Sequence, residues 1–225
     1  MRPLDDRLAL VADMYQPCEL GADIGTDHAM LPVTLLRNNI CQRMVLSDIS
    51  PDALDNARAR MEAEGLTDRC ALRLADGLDA VDRPMGCISV TGMGGRMEAD
   101  MLLRGQERLH GAVLVLSAHT DLPLVRRALH RIGYAIKREE AAFAAGRLYL
   151  VWRAEPGQSS PTELDFELGT ALLRDSNAPA ARSFRQKQLK VLRAHREGLL
   201  LAGQCDARAL DKLQTRIDVL ERSLT

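Results

Sequence analysis

Three aspartates stand where three short apolar segments of the chain end. The first belongs to Asp23-Ile24-Gly25-Thr26-Asp27-His28, which closes the first apolar run and leads into a helical pattern. A dinucleotide-binding loop would carry G-x-G-x-x-G here, because a pyrophosphate needs bare backbone N–H groups at the start of a helix. This segment has one glycine and two carboxylates, which would repel phosphate. It therefore favours a ligand that carries positive charge and hydroxyl groups.

The other two aspartates support a ligand of that kind. Asp48 lies 25 residues further on, at the end of the second apolar run, where a carboxylate can accept hydrogen bonds from both hydroxyls of a ribose. Ile49 would lie against an adenine, and Asp76 with Gly77 would meet the adenine amino group. Each aspartate alone also fits an N-cap or a turn, most clearly Asp48 before Ser50-Pro51. Three such acids in succession favour S-adenosylmethionine, with its ammonium, sulfonium and ribose.

A glycine-rich segment, Thr91-Gly92-Met93-Gly94-Gly95-Arg96, follows the fourth apolar run. Three glycines in four positions let the backbone approach a flat base closely and present N–H and C=O groups to its edge. The position predicts that Gly92 and Met93 touch the cofactor and that the two glycines after them meet the acceptor, with Arg96 on a phosphate. The alternatives are a flexible turn and a surface salt bridge of the arginine.

Alternating strands and helices must position these loops. The expected strands are residues 18–24, 43–47, 71–75, 87–91 and 112–117, followed by a final pair at 133–137 and 148–153. The expected helices between them are residues 29–38, 51–64, 97–106 and 122–132. This order predicts an α/β fold with a mostly parallel, doubly wound sheet and helices on both faces.

A turn-rich linker at residues 155–161 precedes a tail whose pattern is entirely helical. We therefore expect two domains, 1–155 and 156–225. Apolar residues spaced 3, 4, 3 and 4 apart form a seam for pairing with another helix. The seam residues are Leu210, Leu213, Ile217, Leu220 and Leu224. A partial matching stripe upstream and a turn at 203–206 predict a short helical hairpin, although the seam could also pair between chains.

Composition excludes several classes of protein. The 225 residues are 46% apolar and 27% charged with a net charge of -1, which disfavours a disordered tail, a disulfide scaffold and a strongly basic nucleic-acid wrapper. No charge-free stretch approaches the ~20 residues of a membrane span. The five cysteines form no C-x-x-C pair, and residues 1–10 hold no signal-like apolar block. We expect reduced thiols, no metal site and a cytoplasmic location.

Positive charge is concentrated in the helical tail. Residues 181–225 hold ten basic and five acidic side chains, so the remaining 180 residues carry a net charge of -6. An anionic polymer would therefore dock on this tail. A solvated outer helix face is the alternative.

Taken in chain order, these motifs resemble the bacterial tRNA (adenine-22 N1)-methyltransferase family, TrmK. The match is carried by Ala22-Asp23-Ile24-Gly25-Thr26-Asp27-His28-Ala29 with Leu31-Pro32, by Asp76-Gly77-Leu78, by Thr91-Gly92-Met93-Gly94-Gly95, and by Gly133-Tyr134 and residues 146–149 ahead of the helical tail. The resemblance spans nearly the whole chain. It implies a Rossmann-like class I methyltransferase domain and a small C-terminal all-helical arm that helps to hold tRNA. We expect a monomer or weak homodimer, with no membrane partner.

Two positions depart from the family pattern. Met30 stands where an aromatic residue, usually Tyr, follows Asp-His-Ala, and Ser117-Ala118-His119 stands where Gln-Pro-Asn or a close relative usually follows the fifth strand. Both lie near the expected acceptor pocket, so they bear on placement of the base more than on the cofactor. His119 would stack on the base or hydrogen-bond to it in place of the missing side chains. The alternative is a histidine that is simply exposed.

N1 of adenine has an in-plane lone pair and needs no strong base to attack a methyl sulfonium, so catalysis would rest on aligning and desolvating two held reactants. The base must leave its stack to reach the methyl group. Asp27 and His28 are the candidates that position it, and shaping the cofactor loop is their rival role. The cofactor is expected on Asp23, Gly25, Thr26, Asp48, Ile49, Asp76, Gly77, Gly92 and Met93. The tRNA is expected on Gly94, Gly95, Arg96, His119, Arg185, Lys190 and Arg193.

Two other functions stay open from the sequence. The altered segment at residues 117–119 is compatible with an S-adenosylmethionine-dependent methyltransferase that acts on a small molecule or a protein. The basic tail is also compatible with a tRNA-binding module that has kept the fold and lost turnover.

Overall fold

A computed structural model describes residues 3–202 and 206–225. The chain divides into two compact units, Met1–Ser160 and Pro161–Thr225. The predicted linker spans this division. Gly203 to Cys205, where the sequence predicts the turn of a hairpin, lie outside the described residues. In the described part of the chain, no helix is both long and apolar enough to cross a membrane.

The first unit is built on one seven-stranded sheet in the order β3-β2-β1-β4-β5-β7-β6. Its strands are β1 (Cys18–Ile24), β2 (Cys41–Asp48), β3 (Cys70–Leu74), β4 (Cys87–Thr91), β5 (Val113–Ala118), β6 (Tyr134–Ala144) and β7 (Arg147–Pro156). Strands β1 to β5 are paired in parallel, and β7 runs antiparallel between β5 and β6. The predicted mostly parallel α/β fold is confirmed.

Five helices alternate with these strands: α1 (Asp6–Met14), α2 (Met30–Arg37), α3 (Pro51–Ala63), α4 (Gly95–Gly105) and α5 (Leu122–Arg131). The central strands are buried because helices cover them, and β5 is buried at all six positions. Leu35 and Leu36 of α2 pack in one core cluster with Met44 of β2 and Val115 of β5. This core holds the strand ends, and hence the loops that follow them, in place.

Helix α1 was not predicted from the sequence. It begins after Asp5, whose side chain accepts a hydrogen bond from the Leu8 backbone N–H at 2.8 Å. Its inner face buries Val11 and Met14. An N-cap aspartate followed by apolar residues at helical spacing was the available signal. The omission matters because this helix also carries Arg7.

Strand β6 is longer than predicted, because it continues to Ala144 instead of ending at residue 137. The segment 138–140 looks too polar for a strand. Glu139, however, is fully buried and accepts hydrogen bonds from Arg126 Nε at 2.6 Å and from Trp152 Nε1 at 2.7 Å. A charge is tolerated in a protein interior when it is paired and hydrogen-bonded, and these partners come from other elements.

The second unit is helical, as the sequence predicts, and contains α6 (Glu163–Leu168), α7 (Ala171–Arg174), α8 (Pro179–Leu201) and α9 (Ala207–Arg222). The predicted seam is buried at Leu213, Ile217 and Leu220, in one cluster with Leu189 of α8. Arg182, near the start of α8, donates to the Leu224 carbonyl beyond the end of α9 at 3.1 Å. The two helices are therefore antiparallel, and the seam is used within this chain.

The buried Arg126–Glu139 pair yields a stability prediction. Arg126→Met should lower the free energy of unfolding by about 3 kcal/mol, because the buried Glu139 would lose the Arg126 guanidinium. Adding Glu139→Gln to that variant should recover part of the loss. The exposed pair of Arg58 and Asp55, 2.9 Å apart, is the control, and Arg58→Met should change stability by less than about 1 kcal/mol. Urea denaturation measures all three, and equal losses for the buried and exposed pairs would contradict this account.

Candidate functional site

The loops singled out from the sequence meet at one edge of the sheet. Strands β1, β2, β4 and β5 are parallel, so their carboxyl ends face the same side. The sheet order changes direction between β1 and β4, and in open α/β sheets ligands bind at such a switch point. The loops after β1, β2, β4 and β5 therefore share the position at which this fold accepts a ligand.

Asp23, the next-to-last residue of β1, is buried. The Ser89 hydroxyl of β4 donates to its carboxylate Oδ1 at 2.6 Å, and the Tyr15 hydroxyl donates to Ser89 Oγ, also at 2.6 Å. Burial raises the pKa of the Asp23 carboxyl to about 6, while the hydrogen bond from Ser89 and the more distant charge of Arg7 oppose the rise. This carboxyl would be stabilised in its charged form by a cationic ligand group.

Ser89 and Tyr15 were not predicted as part of the site. Ser89 was the visible signal, because it interrupts the otherwise apolar strand β4 with a hydroxyl. Tyr15 follows α1 and could not be connected to the site from its position in the sequence. Both residues fix the Asp23 carboxyl from inside the protein.

The loop after β1 turns sharply at Gly25, where φ is +78°, a value that side-chain-bearing residues rarely adopt. The backbone N–H groups of Gly25 and Thr26 both donate to the Ser47 carbonyl of β2, at 2.7 and 2.9 Å. A Cβ at Gly25 would lie 2.7 Å from Met93 Cε. The predicted cofactor loop and the glycine-rich loop after β4 are therefore in direct proximity.

The predicted ribose and adenine positions lie at the ends of β2 and β3. Asp48 Oδ1 accepts the Ser50 backbone N–H at 2.8 Å, so the predicted turn role is present at this residue. Ile49 beside it is 71% exposed, so a flat ligand can reach its side chain. Asp76 is exposed and faces Arg104 at 3.4 Å.

Asp27 and His28 lie together on the surface of the first loop. His28 Nε2 is 3.2 Å from Asp27 Oδ2, and the two side chains are 65% and 60% exposed. Asn56 Nδ2 of α3 donates to Asp27 Oδ1 at 3.4 Å. Asp27 does not cap α2, because Ala29 occupies the N-cap of that helix without a side-chain hydrogen bond. The pair is accessible to a substrate from solvent.

The glycine-rich loop packs against the loop after β5. A Cβ at Gly95 would lie only 2.3 Å from the Thr120 carbonyl oxygen, so any side chain here would force the two loops apart. Helix α4 begins at Gly95, two residues earlier than predicted, and Gly94 is its N-cap. Arg96 and Met97 line an open groove along this helix together with Gly94.

A further group of side chains lies beside this edge, and of these residues the sequence predicts only His119 as part of the site. His119, which directly follows β5, lies 5.1 Å from the Tyr149 ring between centroids, and the Arg7 guanidinium lies over that ring at 5.0 Å. Glu98 of α4 is fully buried, and among the described residues neither of its carboxyl oxygens has a hydrogen-bond partner. Burial raises the pKa of Glu98 well above its usual range, and the charge of Arg7 opposes the rise.

The predicted tRNA contacts of the second unit need one correction. Arg185 is buried, and its Nη1 donates to the carbonyl oxygens of Leu173 and Ser176 at 2.7 and 2.8 Å. Its guanidinium holds the turn between α7 and α8 and is not presented to a phosphate. Lys190 and Arg193 are exposed on α8, and Arg193 pairs with Glu221 of α9 at 2.6 Å.

The chain is similar to known methyltransferases. A family model described as "Methyltransferase domain" matches residues 4–152. The tRNA (adenine(22)-N(1))-methyltransferase of Bacillus subtilis (strain 168) is 28% identical over 172 residues, which cover 76% of this chain and 72% of that protein.

Two crystal structures share this architecture over nearly their whole length. The B. subtilis m1A22 tRNA methyltransferase TrmK aligns with a TM-score of 0.86 at 25% identity, covering 99% of both chains. A Streptococcus pneumoniae protein in complex with S-adenosyl-L-methionine aligns with a TM-score of 0.82 at 27% identity, covering 97% of this chain and 98% of that one.

The buried Asp23 carboxyl yields a pH-dependent stability prediction. Its pKa is about 6 in the folded protein and about 4 in an unfolded chain, so the folded state keeps a proton that the unfolded state releases as the pH rises. Stability therefore falls between about pH 4 and pH 6, and the loss is complete above that range. The unfolding free energy of Asp23→Asn relative to wild type should rise by about 2 to 3 kcal/mol between pH 4 and pH 8.

Urea denaturation across this pH range tests the prediction. Asp68→Asn is the matched control, because Asp68 is exposed and its carboxyl is solvated in both states. A difference in unfolding free energy between Asp23→Asn and wild type that stays constant at all pH values would show that burial does not destabilise the charged carboxyl.

Proposed function

This chain belongs to the methyltransferase domain family, and we propose that it transfers a methyl group from S-adenosylmethionine to N1 of adenine 22 in tRNA. The supporting observation is the likeness to the B. subtilis tRNA enzyme, which extends over 99% of both chains and so includes the helical unit. A methyltransferase domain alone would leave that unit unexplained. A tRNA substrate also fits a cytoplasmic enzyme.

The residues at the edge of the sheet fit S-adenosylmethionine. Asp23 offers a buried carboxyl that a ligand cation would stabilise, and Asp48 offers carboxylate oxygens for the ribose at the next strand end. Ile49 would lie against the adenine of the cofactor, and Met93 would lie against its methyl-bearing end. The remaining cofactor contacts are Gly25, Thr26, Asp76, Gly77 and Gly92. When bound, the cofactor supplies a methyl group activated by a sulfonium.

The protein's part in the reaction is to position and desolvate the acceptor. N1 of adenine brings its own lone pair, so no side chain has to remove a proton before attack. The adenine must leave its stack in the tRNA, and the loop of Gly94 and Gly95 lets it approach the backbone closely. Asp27 and His28 are exposed on the loop after β1, where they position the base and accept a hydrogen bond from its amino group.

The helical unit supplies charge for the tRNA backbone. Lys190 and Arg193 are exposed on α8, and the region 181–225 has twice as many basic as acidic residues. Such contacts hold nucleic acid through its phosphates and shape, and they weaken as salt is added. Arg96 at the start of α4 is a further phosphate contact on the first unit.

Methylation of defined transcripts tests the proposed function. Purified protein with labelled cofactor should form N1-methyladenosine in a tRNA transcript that carries adenine at position 22, and none when guanine replaces it. Asp23→Asn should reduce the yield strongly, whereas Asp68→Asn, at an exposed position, should not. Mass analysis of nuclease digests identifies the methylated nucleoside.

Other outcomes of that assay separate the alternatives. Cofactor binding without any methylated nucleoside would contradict the tRNA function and favour a small-molecule or protein substrate. Salt-sensitive tRNA binding without cofactor affinity would favour a binding module that lacks turnover.

The pH dependence of cofactor affinity tests the role of Asp23. Protonation of this carboxyl removes its attraction for the ammonium group of the cofactor, so affinity should fall as the pH drops through about 6. Between pH 7 and pH 5 the ionised fraction falls about tenfold, and the dissociation constant should rise by about the same factor. Calorimetry measures this change. Asp23→Asn should bind more weakly with no such pH trend, and an unchanged wild-type affinity at pH 5 would contradict the assignment.

A further inference from the structure

We propose that the ring pair of His119 and Tyr149, with Arg7 as a positioning residue, is the surface on which the target adenine stacks. The inference rests on the proposed function and names the side chains that hold its substrate base. The three residues come from separate elements, namely the loop after β5, strand β7 and helix α1. The Tyr149 ring lies 5.1 Å from the His119 ring and 5.0 Å from the Arg7 guanidinium.

The ring pair lies at the correct edge of the sheet. Ala118 ends β5, and Leu150 is its partner on β7, so His119 and Tyr149 are the next residues beyond that paired position. The Gly95 backbone packs against Thr120 in the same loop. The rings are thus placed beside the glycine-rich loop.

Electrostatics link this cluster to the cofactor site. The Arg7 charge lowers the pKa of the buried Asp23 carboxyl and also that of Glu98 in α4. The sheet order agrees with this link, because only β4 lies between β1 and β5, so the loop after β5 begins about 10 Å from the end of β1. A base on the ring pair would therefore lie close to the end of β1, where the cofactor cation is proposed to bind.

The other aromatic residues of the first unit cannot take this role. Tyr15, Tyr134 and Trp152 are buried in the core. Phe143 is 45% exposed, but Ala142 is the cross-strand partner of Tyr149, and adjacent residues of a strand point to opposite faces. Phe143 therefore lies on the other face of the β6–β7 hairpin. Tyr149 is the one partly exposed aromatic ring at the ligand-binding edge among these five residues.

The chemistry of the cluster suits a flipped base. Removing an aromatic ring on which a base stacks weakens binding by about tenfold or more. An aromatic ring can also accept a base that has left its own stack. The Arg7 guanidinium over the Tyr149 ring holds it by a cation–π contact. The exposed His119 ring is tilted by 60° from the Tyr149 ring, so it would contact the edge of a base stacked on Tyr149. It compensates for Met30, which stands where the resembling family carries an aromatic side chain.

The test compares Tyr149→Phe, which keeps the ring, with Tyr149→Leu, which removes it. Phe143→Leu is the matched control, because it removes an exposed ring from the same hairpin on the other face. Single-turnover methylation of the A22 transcript by Tyr149→Leu should be about tenfold or more slower, with cofactor affinity within twofold of wild type. Tyr149→Phe and Phe143→Leu should both methylate at rates close to wild type.

A tRNA that carries 2-aminopurine at position 22 gives a readout independent of turnover. The base leaves its stack in the tRNA on binding to wild type or to Tyr149→Leu, but it then stacks on a protein ring only in the wild type. The fluorescence of the bound tRNA should therefore be higher with Tyr149→Leu. His119→Ala, at an exposed position, should raise it as well. Arg7→Met should show part of the rate loss, and Arg7→Lys should restore it because the cation is kept.

The outcomes separate this inference from the function on which it rests. If wild type methylates A22 and Tyr149→Leu does so equally fast with unchanged 2-aminopurine fluorescence, the stacking role is overturned and the function stands. If wild type binds the cofactor and forms no N1-methyladenosine, the proposed function fails and the stacking role fails with it. A slow Tyr149→Leu variant that has also lost cofactor affinity points to a structural role for the ring and overturns the inference.

Discussion

Burial of the Asp23 carboxyl is the constraint on which the site depends. A carboxylate in a dry position is stable only with hydrogen bonds or a cation. Here Ser89 donates to the carboxylate and Tyr15 donates to Ser89, and the proposed cofactor would supply the cation. The free protein therefore holds an acid whose pKa is raised to about 6. Such a site favours a cationic ligand and repels a diphosphate, which explains why this Rossmann-like sheet lacks a phosphate-binding glycine loop.

The second constraint is the close approach of backbone to backbone at the same edge. Gly95 lies against the Thr120 carbonyl, and Gly25 lies near Met93, so the loops after β1, β4 and β5 are held within one small volume. Glycine is required at these two positions because one has no room for a Cβ and the other has a positive φ. Alignment of two bound reactants, which is most of what N1 methylation needs, follows from this packing.

The helical unit shows why charge counting alone misjudges a binding surface. The sequence places Arg185 among the basic residues that face an anion, yet this guanidinium is buried on two backbone carbonyls. A guanidinium has five donors, so it can close a turn as well as bind a phosphate. Lys190 carries its charge on a compact ammonium at the end of a flexible stem and stays in solvent. The surface charge of this unit is therefore smaller than its composition indicates.

The sequence by itself determined the alternation of strands and helices, the loops that carry Asp23, Asp48 and the glycine-rich segment, and the apolar seam of α9, because these depend on local periodicity and on chain order. It did not determine the hydrogen bonds from Tyr15 to Ser89 and from Ser89 to Asp23, the extension of β6 around buried Glu139, or the meeting of Arg7, His119 and Tyr149. Each of these joins residues far apart in the chain. Only packing of the sheet brings such groups together, and burial then decides which of them are charged, which are paired and which can reach a ligand.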